Sequence, residues 1–414
     1  MHLTAVATAM LLAAATPAAA QPALMTAAIA AVPDQLKLLE QVVNIDSGTG
    51  DVDGGRAVMA VLTPRLKALG MTVTTVPAEI PGLPDNTVAT LKGTGTTRIL
   101  MIGHIDTVFG PGTVAKWRFS NDGKRLHGPG VGDEKGGVVS AIKALELLRD
   151  AKLDSFGSIT LLIETSEERG SPGTRKLIDR LLDTADVELN LEPGQPGEGG
   201  AADAVTVWRK GSTSFVIDVA GRAAHAGVAP QDGRNAAVEL LHQLGDLDAF
   251  PHSGDGLTVN LTLMSAGSRY NIIPDHAAAT LNVRIRTAAQ LDEVDRRLQA
   301  RARTPLVTGT TVTVSHEASF PPLPTNPATA ALAARAATLY AAAGRRLGTG
   351  GNGGASESAM AAARGVPALD GLGPVGGGFH SDGEYVELET VAPRLYLLAA
   401  LIDDLGRNGV PRAK

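Results

Sequence analysis

The chain has 414 residues, of which 44% are hydrophobic and 19% charged, and this composition favours a globular protein of two or three domains over a disordered one. The net charge of -6 argues against a general nucleic-acid binder, and an aromatic content of 3% argues against a broad base-stacking surface. The absence of cysteine excludes disulfide scaffolds, thiolate metal sites and cysteine nucleophiles. Any bound metal must therefore be held by carboxylates and by members of a set of nine histidines.

The first twenty residues are apolar and rich in alanine, and they end in Ala18-Ala19-Ala20. This pattern is typical of a secretory signal peptide that is cleaved near Ala20, although its start has no Lys or Arg. We therefore predict a protein that is exported, either to the periplasm or fully secreted. No other segment reaches about 18 uninterrupted apolar residues, so we expect no stable membrane insertion.

Buried strands alternate with helices in the first half of the chain. Helical spacing of apolar residues predicts helices over 34–44 and 54–69. Further along, apolar runs typical of strands that are buried on both faces are followed by helices. This alternation predicts an α/β domain with a mainly parallel sheet. The predicted strands are 98–105, 158–163 and 187–191, and the predicted helices are 137–149 and 173–183.

The pattern changes near residue 207, where strands begin to alternate between apolar and polar residues. Such a period of two predicts an antiparallel sheet with one solvated face. The α/β pattern returns after residue 321, with helices over 328–343 and 391–405 and a strand over 366–369. We therefore predict an α+β domain over 210–320, inserted into an α/β domain formed by 21–209 and 321–414. The predicted strands of the insert are 214–219, 257–263, 278–286 and 312–315, and its predicted helices are 235–244 and 289–301.

Acidic and imidazole side chains follow the predicted strands of the α/β domain. Ligands of open α/β sheets bind at the carboxyl ends of the strands, so residues that follow several strands are expected to meet there. A segment before a helix and a loop after the last strand contribute two more such residues. The set comprises His104, Asp106, Asp133, Glu167, Glu168, Glu192 and His380.

Four carboxylates in such a cluster would repel one another. At ~4 Å and an effective dielectric constant of about 20, each pair would cost about 4 kcal/mol, and two divalent cations would remove this repulsion. Imidazole and carboxylate ligands suit Zn²⁺ or a similar ion. Strand alternation puts Asp106 on the same side as His104, where its carboxylate can accept the second imidazole N–H. Taken singly, each residue also has an ordinary interpretation, such as a helix N-cap for Asp133.

Four sequence blocks resemble the di-zinc exopeptidase and deacylase family, which includes aminoacylases, carnosinase-like dipeptidases, desuccinylases and glutamate carboxypeptidases. The similarity covers nearly the whole mature chain and is greatest to the glutamate carboxypeptidase (carboxypeptidase G-type) branch. Shorter matches are LEP at 191–193, GRAAHAG at 221–227 and NIIP at 271–274. The four blocks are GHIDTVF at 103–109, GPGVGDEKGG at 128–137, ETSEERGS at 164–171 and GFHSDGEYVE at 378–387.

The resemblance implies a zinc-exopeptidase-like, three-layer catalytic domain and two Zn²⁺ ions, for which Co²⁺ or Mn²⁺ could substitute. Asp133 would bridge the two ions, with His104 and Glu192 completing one site and Glu168 and His380 the other. Glu167 would be the general base, and the peptide bond after Asp133 would be cis. The implied reaction is hydrolysis of a peptide or N-acyl amino acid bond next to a free carboxylate, and the implied substrate is a small peptide or N-acyl amino acid.

The same resemblance implies that the insert is a lid through which two copies of the chain dimerise. His225 would reach the active site of the partner subunit and stabilise the oxyanion, while Asn271 and Arg284 would hold the substrate carboxylate. The chain departs from the glutamate carboxypeptidase pattern at two positions that would pair with substrate carboxylates. Gly199-Gly200-Ala201 stands where a Lys can occur, and His316-Glu317-Ala318 stands where an Arg is expected.

Other functions remain open at this point. The chain could be an N-acyl amino acid deacylase or a dipeptidase of the same fold. The run Gly348–Gly353 fits G-x-G-x-x-G and would indicate a nucleotide-binding oxidoreductase, but it lacks a clear βαβ context and a suitable acidic residue. A non-catalytic binding protein on the same fold is a third alternative, against which the retained Glu167 argues.

Overall fold

The computed structural model describes residues 17–318 and 320–411. The predicted signal peptide lies outside these residues as far as residue 16, and residues 17–20 begin the first helix. None of the helices within the described residues is long and apolar enough to cross a membrane. The α-helices are α1 Pro17–Val43, α2 Val52–Ala68, α3 Lys135–Asp150, α4 Arg175–Leu182, α5 Ala236–Leu244, α6 Ala288–Ala302, α7 Pro327–Ala342, α8 Ser358–Ala363 and α9 Leu388–Asn408.

The strands form a large mixed sheet, an antiparallel sheet in the insert and three smaller sheets. They are β1 Thr72–Val76, β2 Asn86–Lys92, β3 Arg98–His104, β4 Ser120–Asn121, β5 Arg125–His127, β6 Ser158–Glu164, β7 Val187–Asn190, β8 Gln195–Pro196, β9 Asp203–Arg209, β10 Gly211–Ala220, β11 Ala224–His225, β12 Thr258–Ala266, β13 Ile272–Ile273, β14 His276–Ile285, β15 Thr311–Ala318, β16 Leu347–Asn352, β17 Ala368–Leu369, β18 Gly376–Gly377 and β19 Tyr385–Glu387.

The large sheet has the strand order β1-β2-β6-β3-β7-β17. Strands β6, β3, β7 and β17 are parallel, as the sequence predicts, whereas β2 and β1 are antiparallel additions at one edge. Sequence analysis did not identify these two strands. Their threonine-rich sequences TVTTV and NTVATLK contain no long apolar run, and β1, which forms the edge of the sheet, is only partly covered.

Both faces of the large sheet are covered by helices, which gives three layers. On one face, Ile99 and Met101 of β3 belong to a core shared with α1, α3 and α9. On the other face, Leu100 and Ile102 pack in a second core with α4 and α8. Because successive residues of β3 enter different cores, the whole strand must be apolar up to its end. The first polar side chain after the run, His104, is therefore fixed at the carboxyl end of the sheet.

The insert contains the antiparallel sheet that its alternating pattern predicts, with the strand order β12-β14-β10-β15. Phe215, Ile217 and Val219 of β10 point into a separate core, which is closed by α5 and α6. Helix α5 begins after Asn235, whose side chain accepts hydrogen bonds from the backbone N–H groups of Ala237 and Val238. Strand β12 forms an edge of this sheet, and most of its residues are exposed.

Two smaller sheets bring distant loops together. Strand β19 pairs with β5, so the loop before β19 lies beside the segment that follows β5. The glycine-rich run at 348–353 lies mainly in β16, which pairs in parallel with β9. It is thus an extended strand and not a turn that opens a helix, because the phosphate-binding arrangement needs its glycines at the start of a helix.

Because helices cover both faces of the large sheet, a cavity at its centre should lower the free energy of unfolding substantially. Leu162 of β6 is fully buried, so Leu162→Ala should lower the free energy of unfolding by about 2–5 kcal/mol. Leu306 is 60% exposed and provides a matched control, because Leu306→Ala should change it by less than about 0.5 kcal/mol. Chemical denaturation of both variants measures the difference, and equal effects would contradict the three-layer packing.

Candidate metal centre

The carboxyl ends of β3, β6 and β7 bring together side chains that are far apart in the sequence. His104 ends β3, the turn 167–169 follows β6, and Glu192 follows β7. Asp133 lies just before α3, and His380 lies in the loop between β18 and β19. The structure thus unites all five predicted metal ligands with Glu167 and Asp106, as expected for ligands at the carboxyl edge of a parallel sheet.

His104 and Glu192 face one oxygen of Asp133. The Nε2 atom of His104 lies 3.3 Å from Asp133 Oδ1 and 3.6 Å from Glu192 Oε1. This nitrogen is buried and has no hydrogen-bond partner among the described residues. A buried imidazole nitrogen directed at two carboxylates fits a metal ion, which would accept the lone pair that no donor satisfies.

His380 and Glu168 face the other oxygen of Asp133. The Nε2 atom of His380 lies 3.3 Å from Asp133 Oδ2 and 3.1 Å from Glu168 Oε2. His380 has a left-handed backbone conformation with φ of 63°, which is uncommon outside glycine. The peptide bond between Asp133 and Glu134 is cis, as the resemblance implies. Asp133 therefore lies between two imidazoles, with one oxygen directed at each.

Asp106 organises the centre in a way that differs from the expectation. The nearest acceptor for His104 Nδ1 is the backbone oxygen of Asp106 at 2.9 Å, while the carboxylate lies at 3.5 Å. The Asp106 carboxylate instead accepts the backbone N–H groups of Glu167 and Glu168 at 3.1 and 3.3 Å. Thr49 donates a further hydrogen bond to it at 2.6 Å. Asp106 thus fixes both the imidazole and the turn that carries the two glutamates.

Glu167 lies beside this centre with its Oε2 atom 3.8 Å from His104 Nε2. Burial raises the pKa of Glu167 well above its usual value, and the neighbouring carboxylates of Glu357, Glu192 and Glu168 raise it further. The effect reflects the cost of placing another negative charge in a poorly solvated, acidic cluster. Because these surroundings favour its protonated form, the carboxyl group is suited to accepting a proton.

The neighbouring pKa shifts have the same origin. Burial raises the pKa of Glu192 to about 7, with Asp133 contributing in the same direction. Burial alone would raise the pKa of Asp133, but the neighbouring imidazoles of His104 and His380 lower it overall. Hydrogen bonds to Asp133 and Glu168 raise the pKa of His380 to about 10.

Glu384 holds the backbone around Asp133, and sequence analysis did not identify it. Its Oε1 atom accepts the N–H groups of Gly132 and Asp133 at 2.9 and 3.0 Å, and its Oε2 atom accepts that of Gly130 at 3.2 Å. Glu384 follows His380 by four residues, so one loop carries both a candidate ligand and the support for another. Only its position within the 378–387 block signals a function.

Arg209 is a second residue that sequence analysis missed. Its guanidinium is 1% exposed and donates to Glu192 Oε2 at 3.0 Å. It also donates two hydrogen bonds to Asp370, at 2.6 and 2.7 Å. Ser356 donates to the same carboxylate at 2.5 Å. Arg209 therefore holds one oxygen of Glu192 while the other faces His104, an arrangement that joins residues from three distant parts of the sequence.

Glu134 also lies closer to the centre than the sequence indicates. Its Oε2 atom is 3.6 Å from His104 Nε2, and with Glu192 it forms a group of side chains that could hold a metal ion. Burial raises the pKa of Glu134 well above its usual value. The second such group is Asp133, Glu168 and His380. The neighbourhood of His104 thus contains one more carboxyl group than the five predicted ligands supply.

The three predicted residues of the insert have different positions. Arg284 in β14 lines the cleft above the centre. His225 and Asn271 are exposed and do not line it; they lie in and beside the β11–β13 pair, where the backbone N–H of Ala226 donates to the Asn271 carbonyl. The Nδ1 atom of His225 accepts hydrogen bonds from Gly227 and Val228 at 3.1 Å. The cleft of one chain thus contains Arg284 but neither His225 nor Asn271.

The cleft between the centre and the insert has a volume of about 250 Å³. Carboxylates cover one side of it, and aromatic, arginine and small polar side chains cover the rest. It is lined by Asp133, Glu167, Glu168, Gly170, Glu192, Pro193, Arg209, Ser212, Arg284, Phe320, Asn352, Gly354, Ala355, Phe379 and His380.

Comparison with known proteins identifies relatives of this chain. It is 36% identical to carboxypeptidase G2 of Pseudomonas sp. (strain RS-16) over 378 residues, which are 90% of each chain. It is 31% identical to succinyl-diaminopimelate desuccinylase of Paracoccus denitrificans over 286 residues, covering 66% of this chain and 72% of that one. A tripeptidase of Staphylococcus aureus has a similar fold, with a TM-score of 0.74 and 20% identity, covering 91% of this chain and 99% of that one.

Residues 100–404 match peptidase family M20/M25/M40. This segment includes the carboxyl ends of β3, β6 and β7, the segment before α3 and the loop that carries His380. The match and the extent of the similarity to carboxypeptidase G2 agree with the α/β domain, the antiparallel insert and the cluster of carboxylates and imidazoles. The chain belongs to the M20 family of metallopeptidases and is a metal-dependent hydrolase.

Proposed function

We propose that this enzyme hydrolyses an amide bond next to a free carboxylate, in a small peptide or an N-acyl amino acid. The observation that carries the proposal is the position of Asp133 between two imidazoles, with one oxygen 3.3 Å from each. A carboxylate in this position can bridge two metal ions, the arrangement used for hydrolysis by a pair of metals.

The donor atoms divide into two sets that share Asp133. His104 and Glu192 would complete one site, and Glu168 and His380 would complete the other. Nitrogen and oxygen donors without sulfur suit Zn²⁺, with Co²⁺ or Mn²⁺ as substitutes. Two bound ions would polarise the scissile carbonyl and lower the pKa of the attacking water.

Glu167 is the proposed general base. Its side chain lines the cleft but lies outside the two ligand sets, so it can take a proton from the attacking water and pass it to the leaving nitrogen. Asp106 orients it by accepting the backbone N–H groups of Glu167 and Glu168. Arg284 lines the same cleft and offers a guanidinium to the free carboxylate of the substrate.

The relatives support two versions of this reaction. The similarity to carboxypeptidase G2 along 90% of the chain favours a carboxypeptidase that releases a C-terminal residue. The similarity to desuccinylases favours removal of an acyl group from an amino acid. Both reactions break an amide bond and leave a carboxylate, so the same residues perform the same proton transfers in each.

We also propose that residues 210–320 act as a lid and join two copies of the chain. Apolar side chains of the edge strand β12 are exposed, with Leu261 at 43%, Leu263 at 67% and Met264 at 48%. An uncovered apolar edge strand is suited to pairing with a second chain. In such a dimer, His225 and Asn271 can enter the cleft of the partner subunit, since they do not line the cleft of their own chain.

The apolar, alanine-rich stretch over residues 1–20 supports export of the enzyme. A hydrolase outside the cytoplasm would act on small peptides and acylated amino acids that enter from the environment. Its centre needs no thiol ligand, since the chain has no cysteine.

The role of Glu167 predicts that its removal separates catalysis from metal binding. Glu167→Ala should keep its metal content, measured by mass spectrometry, and lose kcat by about 10²–10⁴-fold on an N-benzoyl amino acid. Glu198 is exposed and unrelated to the cleft, so Glu198→Ala serves as the control with unchanged kcat. An active Glu167→Ala enzyme would refute the general-base assignment.

The contacts of Glu384 predict that it supports metal binding without being a ligand. Glu384→Gln keeps the shape of the side chain but weakens acceptance of three backbone N–H groups, so zinc affinity should fall about 10–100-fold. Calorimetric titration of the metal-free proteins measures this change. Glu389→Gln alters an exposed glutamate nearby and should leave the affinity unchanged; equal affinities in all three proteins would contradict the positioning role.

The exposed edge strand predicts a dimer that a single charge can separate. Leu263→Lys should convert the dimer to a monomer of half its mass in sedimentation velocity, because it places a cation on the apolar edge. Activity should fall as the dimer dissociates, since His225 would no longer reach the cleft of a partner subunit. Leu306→Lys changes another exposed leucine outside β12 and should remain dimeric; a monomeric wild-type enzyme would overturn the proposal.

A further inference from the structure

Arg284 presents an unpaired positive charge to the cleft. Its Nε atom donates to Asn282 at 3.0 Å, and the guanidinium has no carboxylate within ion-pair distance among the residues described. Burial lowers the pKa of this group, since the cation has lost part of its hydration. A partly desolvated guanidinium facing a cleft is a binding site for one carboxylate.

The other arginine of the cleft is already neutralised. Arg209 donates to both oxygens of Asp370 and to Glu192, and both partners are buried. A substrate carboxylate would have to compete with two carboxylates that hold this guanidinium in place. Arg209 is therefore a support for Glu192 and not a second anchor for an anion.

Cations near the cleft are also engaged elsewhere. Lys210 donates its Nζ hydrogen to the carbonyl of Gly254, and Arg286 stacks on the ring of Trp208 with its guanidinium carbon 3.7 Å from the ring centre. Arg175 donates to the carbonyl of Gly170. None of these three lines the cleft, so among the arginines and lysines that line it in the described residues, Arg284 alone forms no ion pair.

The remaining surface of the cleft is neutral or negative. Phe320 and Phe379 contribute aromatic surface, and Ser212, Asn352 and Ala355 contribute small or neutral side chains. The volume of about 250 Å³ is small, so it suits a single residue better than a longer peptide. Apart from Arg284 and the ion-paired Arg209, the described lining residues include no arginine or lysine that could pair with a second anionic group.

We propose, on the basis of the proposed function, that the amino acid released by this enzyme carries one carboxylate, bound by Arg284, and a neutral side chain of modest size. A second carboxylate, as in glutamate, would lose part of its hydration in the cleft without meeting an unpaired arginine or lysine among the described lining residues. The enzyme thus selects against dicarboxylic residues by leaving their second charge unpaired.

A pair of substrates of equal size tests this inference. N-benzoyl-glutamine and N-benzoyl-glutamate differ only in the charge of the side chain, and N-benzoyl-leucine adds an apolar residue. With the zinc-loaded enzyme, kcat/KM for the glutamine and leucine compounds should exceed that for the glutamate compound by about 100-fold. Equal or faster hydrolysis of the glutamate compound would overturn the inference and leave the proposed function intact. Hydrolysis of none of the three would overturn the proposed function, and the inference with it.

Two substitutions test the charge of the cleft itself. Ala355→Lys adds a cation to the lining and should raise the glutamate-to-glutamine ratio of kcat/KM about 10-fold or more, while the neutral, similarly long side chain of Ala355→Met should leave that ratio unchanged. Arg284→Met should raise KM about 100-fold for all three compounds with a smaller change in kcat. An unchanged ratio in Ala355→Lys, or an unchanged KM in Arg284→Met, would refute the single-anchor arrangement.

Discussion

The repulsion between carboxylates at the carboxyl edge of the large sheet is the constraint on which the rest of the structure depends. Asp133, Glu167, Glu168 and Glu192 all line one small cleft, where little water can screen their charges. The pKa of Glu192, raised to about 7, reflects the cost of this arrangement when only protons balance it. Two divalent cations would remove that cost, so affinity for metal is built into the positions of these side chains.

Hydrogen bonds with surrounding side chains hold both the acidic side chains of this cluster and the backbone that carries them. The Asp106 carboxylate accepts hydrogen bonds from backbone N–H groups of the turn after β6, and the Glu384 carboxylate accepts hydrogen bonds from backbone N–H groups around Asp133. Arg209 binds one oxygen of Glu192 and leaves the other directed at His104. Each support comes from a different part of the chain, so the metal centre also ties the layers of the α/β domain together.

The insert carries the predicted substrate-binding residues, which lie outside the cluster of carboxylates and imidazoles. Arg284 provides the cleft with a cation for an anionic substrate, whereas His225 and Asn271 lie outside the cleft of their own chain. The exposed edge of β12 and the exposed position of His225 are the two observations that support the proposed dimer. Arg284, the proposed anchor for the substrate carboxylate, and β12, the proposed dimer contact, belong to the same four-stranded sheet.

The sequence by itself determined the elements and the identity of the centre. Apolar runs predicted the central strands β3, β6 and β7, and alternating runs predicted the four strands of the insert, because burial on two faces or on one restricts which residues a strand contains. The residues after β3, β6 and β7 were predictable as neighbours, since parallel strands end at one edge. Only the tertiary structure decided the roles of Arg209, Glu384 and the Asp106 carboxylate, because their partners lie at sequence separations of up to 254 residues and follow no local period. The absence of cysteine required that histidine and carboxylate bind any metal, and the fold decided which of them meet.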